Sequence, residues 1–380
     1  MPLRLAFAAL LALTACSPGD DASSDGLAAL SEAGVDWDAY DPLAASAAAT
    51  DTSGLDPALA DSALAQFDRL PRLRALVVAR HGEVLLERYR DGYGLDEPAN
   101  VKSASKSVLS AVAGAALASG VFEGVDAPVA PLFERELAAA RDTLDPRVRQ
   151  ITWEDLLTMR AGLASTSGRN YSRWVLADDW VEAALARPVV AAPGTRRIYS
   201  TGTSHLLGVA LARAADESLL ALTRRTLGEP LGLRVPAWPT DPQGRYFGGN
   251  DMQLSPRFLL RLGEAYRQGG EIEVDGERRR IVPEAWVWAS WRPVTEVGRG
   301  RGYGYGYAWF TKTVRSGDDT LPVFFAWGFG GQYLFVVPDL ALTVVALSTT
   351  TVPTGEGGHG PAVHALLDEA LIPAARRGLS

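Results

Sequence analysis

Apolar residues follow three different spacings along this chain. In "DPALADSALAQFDRL" (56–70) they recur three and four apart behind Asp56-Pro57, which predicts a capped amphipathic helix. "ALVVARHGEVLLERY" (75–89) sets two apolar runs around Arg80-His81-Gly82-Glu83, the pattern of a hairpin with His81 in its turn. "KSASKSVLSAVAGAALASG" (102–120) is polar at first and then apolar or small on every side from 108 to 118. It predicts a helix buried all round that stops at Gly120. Residues from about 121 to 235 read as helix and loop. "MQLSPRFLLRLGEAYRQGG" (252–270) predicts a helix with Ser255 as cap, Pro256 in the first turn and Gly269-Gly270 as its end. "YGYGYAWF", "VFFAWGF", "QYLFVVP" and "LALTVVALST" then read as strands, and "AVHALLDEALIPAA" closes the chain as a helix. Strands lie towards both chain ends and helices between them. That order predicts an α+β fold: one antiparallel sheet built from the two ends, flanked by helices, with a mostly helical insertion at about 121–235.

The first residues follow a different logic. Arg4 precedes "LAFAALLALTA" and then Cys16. The apolar run is well short of the roughly 20 residues that span a bilayer, so residues 1–16 read as a signal peptide. "LTAC" resembles the bacterial lipobox, and the resemblance implies lipidation of Cys16. Cys16 is the single cysteine, so no disulfide or thiolate metal site competes for it. "SPGDDASSDG" behind it has the small, acidic composition of a tether. Residues 17–54 are therefore expected to be tether and irregular chain, and 55–380 the folded domain. Ser17 after the cysteine implies retention at the outer membrane, on the periplasmic face.

Composition narrows the function. The chain has 380 residues, 47% of them hydrophobic and 22% charged, which is enough for one large globular domain. Its net charge is −8 and no basic stretch is long enough to track phosphates, which argues against nucleic-acid binding. The Arg-Gly alternation at 298–302 runs directly into "GYGYGYAWF" and reads as the approach to a strand.

Ser103 and Lys106 carry the first candidate chemistry. Placed at a helix N-terminus, Ser103 lies where backbone N–H groups favour developing negative charge, and Lys106 shares its face. A lysine serves as base to a serine hydroxyl when burial and neighbouring positive charge lower its pKa, which arginine cannot do. Of 37 basic residues only Lys102, Lys106 and Lys312 are lysines, so lysine at 106 is selective. The pair taken alone is equally a helix cap with a solvated first-turn lysine. Two further stretches weigh against that. "PGTRRIYSTGTSHLLG" (193–208) offers Tyr199, a phenol able to relay a proton, ahead of an apolar helix. "AWGFGGQYLFVVPDLALTVV" (326–345) offers Gly330-Gly331, where missing side chains let a ligand approach the backbone, and the N–H of Gln332 as an oxyanion donor beside that of Ser103.

Together these motifs resemble the serine β-lactamase-related family of class C β-lactamases, DD-peptidases, family VIII carboxylesterases and 6-aminohexanoate-dimer hydrolases. "SASK" resembles its S-x-x-K, "YST" its Y-x-N and "FGG" its K-T-G or H-x-G. "ITWEDLLTMRAGL" (151–163) and "GGNDMQLSPRFLLRLGEAYRQGG" are similar to segments around them, so the resemblance runs in order from about 70 to 380. It implies a β-lactamase/transpeptidase-like fold, a Ser103 acyl-enzyme with Lys106 and Tyr199 as catalytic partners, and no metal or organic cofactor. Two departures bear on substrate. Thr201 replaces the asparagine that would orient a substrate amide and hold the lysine. Phe329 replaces the cation that would hold a substrate carboxylate, and offers an apolar wall. Both favour a small-molecule ester or amide over β-lactams or D-Ala-D-Ala peptides; the remaining alternative is a non-catalytic ligand-binding protein of the envelope. The sequence does not give an oligomeric state.

Other residues are weaker candidates. Asn250 is expected to contact substrate or cap a loop, and Trp174, Trp180 and Trp327 to line the cleft or join the core. Asp178 and Asp179 read as a helix cap, His205 as a structural histidine, and His359 and His364 are not at metal-ligand spacing. No G-x-S-x-G elbow is present, which argues against an α/β-hydrolase.

Overall fold

The computed structural model describes residues 35–37, 39–49, 54–140, 144–297, 302–351 and 358–377. Cys16, the signal-like segment and the Arg-Gly run at 298–301 lie outside the described residues. In chain order, α1 (Pro42–Ala48) and α2 (Pro57–Arg69) lead into the hairpin β1 (Leu73–Arg80) and β2 (Glu83–Tyr89). The short β3 (Ala99–Asn100) precedes α3 (Ser105–Ala118), and α4 (Thr201–Ala214) follows within a region of short helices and loops. Then come β4 (Gln253–Leu254), which pairs with β3, and α5 (Pro256–Arg267). The last six strands are β5 (Thr295–Val297), β6 (Tyr303–Tyr305), β7 (Phe310–Ser316), β8 (Asp319–Gly328), β9 (Gln332–Val337) and β10 (Leu342–Ser348). Helical chain from His359 to Arg377 ends the fold.

Alternation along "LRALVVAR" sets the centre of the molecule. β1 sends Ala75, Val77 and Ala79 to one face and Leu76 and Val78 to the other, and all five are fully buried. A strand with no polar side has to be covered on both faces. α3 and α5 cover the first face; α2, through Ala63 and Phe67, and the C-terminal helical chain, through Leu367 and Leu371, cover the second. The eight-stranded sheet runs β2-β1-β10-β9-β8-β7-β6-β5, antiparallel throughout. The two chain ends meet at β1–β10, with Leu76 opposite Ala346 and Val78 opposite Val344. The β1–β2 turn forms at His81 and Gly82, both with positive φ (51° and 85°), a backbone twist that suits a two-residue hairpin loop.

Two expectations are corrected here. "YGYGYAWF" is a hairpin and not one strand. β6 ends at Tyr305, Ala308 takes a φ of 59°, and β7 starts at Phe310. Gly306 lets the turn pass close to another segment: a side chain there would stand 2.3 Å from the Ser290 carbonyl oxygen. Residues 35–37 and 39–49 are not irregular chain free of the fold either. Trp37 and Tyr40 pack on Phe324 with ring centroids 6.2 and 6.1 Å away, and the Tyr40 hydroxyl donates to Asp339 at 2.5 Å. α1 is fastened by a buried network in which Arg267 donates to Ser46 and to Glu264, and the Thr343 hydroxyl donates to the same carboxylate. Tail composition concealed these few aromatic and polar anchors.

Candidate active site

Ser103 sits in a single 3₁₀ turn, Lys102–Ala104, that feeds α3. Every residue of α3 from Ser105 to Ala116 is buried, so the helix can move little. The turn is wound by an unusual backbone: Lys102, a non-glycine, holds a φ of 49°, a conformation that costs of order 1–3 kcal/mol and needs outside support. Asn100 Oδ1 accepts from Lys102 N–H at 2.9 Å, and the Lys102 ammonium pairs with Asp251 at 2.8 Å. Val101 N–H donates to the Met252 carbonyl at 3.1 Å, and Met252 N–H donates to Ser105 Oγ at 3.1 Å. The turn that carries Ser103 is thus clamped to the loop at 249–252. The sequence reading missed the Lys102–Asp251 pair, which lies 149 residues apart along the chain.

Lys106, 3% exposed, donates to Ser103 Oγ at 3.0 Å and to the Gly249 carbonyl at 2.8 Å. Tyr199 enters from the segment before α4 and its hydroxyl donates to Ser103 Oγ at 2.8 Å. The sequence places Tyr199 through its neighbours: Ser165 Oγ donates to the Tyr199 carbonyl at 2.6 Å, Ile198 N–H donates to Met159, and Ser200 caps α4. Burial of the phenol works against ionisation, but the Lys106 charge, hydrogen bonds with Ser103 and Lys106, and the Arg197 charge outweigh it. The net effect lowers the Tyr199 pKa below that of a free phenol. Arg197, which the sequence reading did not single out, stacks on Tyr305 at 4.3 Å and faces Tyr199 at 5.8 Å. The three predicted groups therefore converge on one hydroxyl.

The final hairpin is assembled differently from the sequence expectation. The residue packed on the nucleophile turn is Gly328, at the end of β8. A side chain there would stand 2.3 Å from the Val101 carbonyl oxygen and 3.1 Å from Ala104 N. Gln332 pairs with Gly328 across the ladder and is fully buried. Its side chain is spent on β10, accepting from Ser348 N–H at 3.0 Å and donating to the Ser348 carbonyl at 2.9 Å. Gly330 and Gly331 form the turn, with φ of 87° and 102°, a backbone conformation that glycine adopts without strain. The turn is held by Arg72 donating to the Gly330 carbonyl at 3.0 Å and Ser348 Oγ donating to the Gly331 carbonyl at 2.9 Å. His359 donates to Ser348 Oγ at 2.8 Å; burial, with Arg72 nearby, holds its pKa down at about 4, so the ring is neutral. Phe329, half-buried, follows Gly328, and its N–H makes no hydrogen bond among the described residues.

The remaining candidates divide. Asn250 is 7% exposed and donates to the Tyr171 hydroxyl at 3.3 Å. The Tyr171 phenol is pushed up by burial and then by the Asp251 and Tyr199 charges, so Asn250 and Tyr171 border the site. Thr201 does not reach the lysine; its hydroxyl pairs with Ser167 at 2.9 Å, and the Gly249 carbonyl holds Lys106 instead. Trp180 is 8% exposed, stacked among Trp174, His205 and Phe247, with its indole N–H on the Val175 carbonyl, so it belongs to the core. Trp327 points away from Gly328 in the strand alternation and packs on Phe310 and Tyr333 at the far face. Asp179 caps a helix by accepting from Val181 and Glu182 N–H, and Lys312 is bound by Asp368 at 2.7 Å beside His364. Among the described residues no three His, Cys, Asp or Glu side chains gather as metal ligands.

Comparison with solved structures agrees with this fold. The chain resembles solved structures of a Bacillus anthracis protein assigned as a 6-aminohexanoate-dimer hydrolase (TM-score 0.62, 18% identity, 83% of this chain and 81% of that one) and of EstCE1, a hydrolase with promiscuous acyltransferase activity (0.62, 21%, 83% and 98%). A D-stereospecific amidohydrolase from Streptomyces sp. is also similar (0.59, 18%, 81% and 97%). Among curated proteins none matches the chain. The Beta-lactamase family profile matches residues 72–369, more than half of the chain and all of the elements that build the site: the chain belongs to the Beta-lactamase family.

Proposed function

We propose that the protein is a serine hydrolase that cleaves a small-molecule ester or amide through an acyl-enzyme on Ser103. The observation that carries this is one hydroxyl held between the Lys106 ammonium at 3.0 Å and the Tyr199 phenol at 2.8 Å. Ser103 Oγ attacks the carbonyl carbon and its proton passes to the Tyr199–Lys106 pair. As the C–O or C–N bond breaks, the same pair returns the proton to the leaving group. Water, activated by that pair, then cleaves the acyl-enzyme. The oxyanion rests on the N–H groups of Ser103 and Phe329, the latter brought to the nucleophile turn by the close approach of Gly328. Ala326, on the same face of β8 as Gly328, and Phe329 supply no cation for a substrate carboxylate, which supports neutral esters or amides over β-lactams. Lipidation of Cys16 would hold the enzyme at the periplasmic face of a membrane; radiolabelled palmitate retained by a Cys16→Ala variant would refute that part.

Mass spectrometry of the full-length protein after incubation with a fluorophosphonate tests the central reading. A single adduct on Ser103, absent from Ser103→Ala, is expected, with p-nitrophenyl ester hydrolysis lost in the same variant. A folded protein that takes no adduct would leave the fold as a ligand-binding scaffold. Nitrocefin turnover faster than ester turnover would favour a β-lactamase.

A further inference from the structure

We infer that His205 is a positioning residue for Lys106: its ring holds the Gly248 N–H and thereby sets the Gly249 carbonyl against the lysine. The inference rests on the reading of Ser103 and Lys106 as catalytic. Thr201 is turned away to Ser167, and the fixed backbone acceptor for the Lys106 ammonium is the Gly249 carbonyl at 2.8 Å. Where that carbonyl sits is decided by how residues 247–250 lie on α4. The fit there is tight on both sides. A side chain at Gly248 would stand 2.5 Å from the Ser204 carbonyl oxygen and 2.8 Å from His205 Cα, and one at Gly208 would stand 2.7 Å from Gly248 Cα. A side chain at Gly249 would stand 2.8 Å from Lys106 Cγ. Loop, helix and lysine stem are in backbone contact, so a small shift of the loop moves the carbonyl off the ammonium.

His205, with no exposed surface, fixes that contact. Gly248 N–H donates to its Nδ1 at 3.2 Å, which assigns the proton to Nε2, and Nε2–H donates to Asp241 at 3.2 Å. Asp241 is anchored in turn by Arg245, with Nε–H at 2.5 Å and backbone N–H at 2.9 Å, and by Gln243 N–H at 2.9 Å. Trp174, Trp180 and Phe247 meet the imidazole edge-on, with centroids 5.9, 5.5 and 5.8 Å away, and prevent the ring from turning. The charged groups around it are Asp241, Arg245 and Asp179; burial dominates and keeps the ring neutral, so that Nδ1 stays an acceptor. A histidine that only filled space would need neither a set tautomer nor a partner in the loop.

Three full-length variants test this: His205→Asn, whose side-chain oxygen can stand where Nδ1 stands, and His205→Gln and His205→Leu, which present no acceptor there. The readouts are the rate of Ser103 labelling by a fluorophosphonate across pH, and the thermal midpoint. Asn is expected to label within about threefold of the parent with an unchanged pH midpoint. Gln and Leu are expected to label at least about tenfold more slowly with a displaced midpoint. Labelling that follows side-chain volume, with Gln above Asn, would overturn the inference, as would folded Gln and Leu variants with the parent's rate and pH midpoint. If Gln and Leu fail to fold, a folded Asn variant decides: a parental pH midpoint supports the inference and a displaced one overturns it. A parent protein that takes no label at all would instead refute the hydrolase reading.

Discussion

Tyr199 is the residue whose environment departs most usefully from water. Its burial raises the cost of ionisation, and the Lys106 charge, the hydrogen bonds with Ser103 and Lys106, and the Arg197 charge together outweigh it. Because the folded pKa lies below that of a free phenol, the Tyr199 phenolate, the acceptor of the Ser103 proton in the mechanism proposed above, forms at lower pH than in solution. Ester hydrolysis should therefore rise with pH around a midpoint below 10, the ordinary tyrosine value. Tyr199→Phe should remove that rise and slow the reaction by about 10²–10⁴-fold, as expected for loss of a positioned acid–base group; a pH–rate profile on a p-nitrophenyl ester checks both. The linked stability has the same sign. A depressed pKa stabilises the fold above the unfolded value and loses that contribution as pH falls through the folded one. Ser103, Lys106 and Tyr199 were legible in the sequence because each needs a particular functional group. An oxyanion donor is a backbone N–H that any residue type can supply, so residue type did not foretell that Gly328 packs on the Ser103 turn while the Gln332 side chain turns to Ser348.

Elements bring these groups together through contacts that a pattern of apolar positions does not encode. The ladder of β8 ends where Gly328 meets the nucleophile turn, and the fit admits no side chain: a methyl group would stand 2.3 Å from the Val101 carbonyl oxygen. Gly328→Ala should push β8 away from residues 101–104. Because the obstacle is backbone, Ser103 labelling should fall at least tenfold, while urea unfolding shows a loss of only about 1–3 kcal/mol, the usual cost of overpacking. Equal losses in both would mean that the contact serves the fold alone. The buried α3, the β1–β2 hairpin and the capped α2 and α5 were each legible, since period, cap and turn chemistry are local. The hairpin inside "YGYGYAWF" was not, because its turn packs through Gly306 against the Ser290 carbonyl, a neighbour contributed by another part of the molecule.

At the scale of the whole molecule, residues 35–37 and 39–49 belong to the folded body, and Ser46 of α1 is held by a buried ion pair within α5. Glu264 and Arg267 are 2% and 6% exposed, 2.7 Å apart, and tie Ser46 and Thr343 into one network. Removing one partner of such a pair leaves a buried charge uncompensated, so Arg267→Ala should cost about 3–5 kcal/mol in urea unfolding. A loss below about 1 kcal/mol would mean that water already solvates Glu264 and that α1 is only loosely attached. The sequence by itself determined the fold class, most helices and strands, and the three side chains that meet at Ser103 Oγ, because alternation, helical period and functional groups are written residue by residue. The tertiary structure alone decided that the Gly249 carbonyl holds Lys106, that Asp251 braces the turn before Ser103, that Trp180 belongs to the core and Trp327 packs against it, and that Trp37, Tyr40 and α1 attach to the folded body. Each of these depends on which distant backbone a residue meets when the two chain ends close into one sheet, a relation that no local spacing carries.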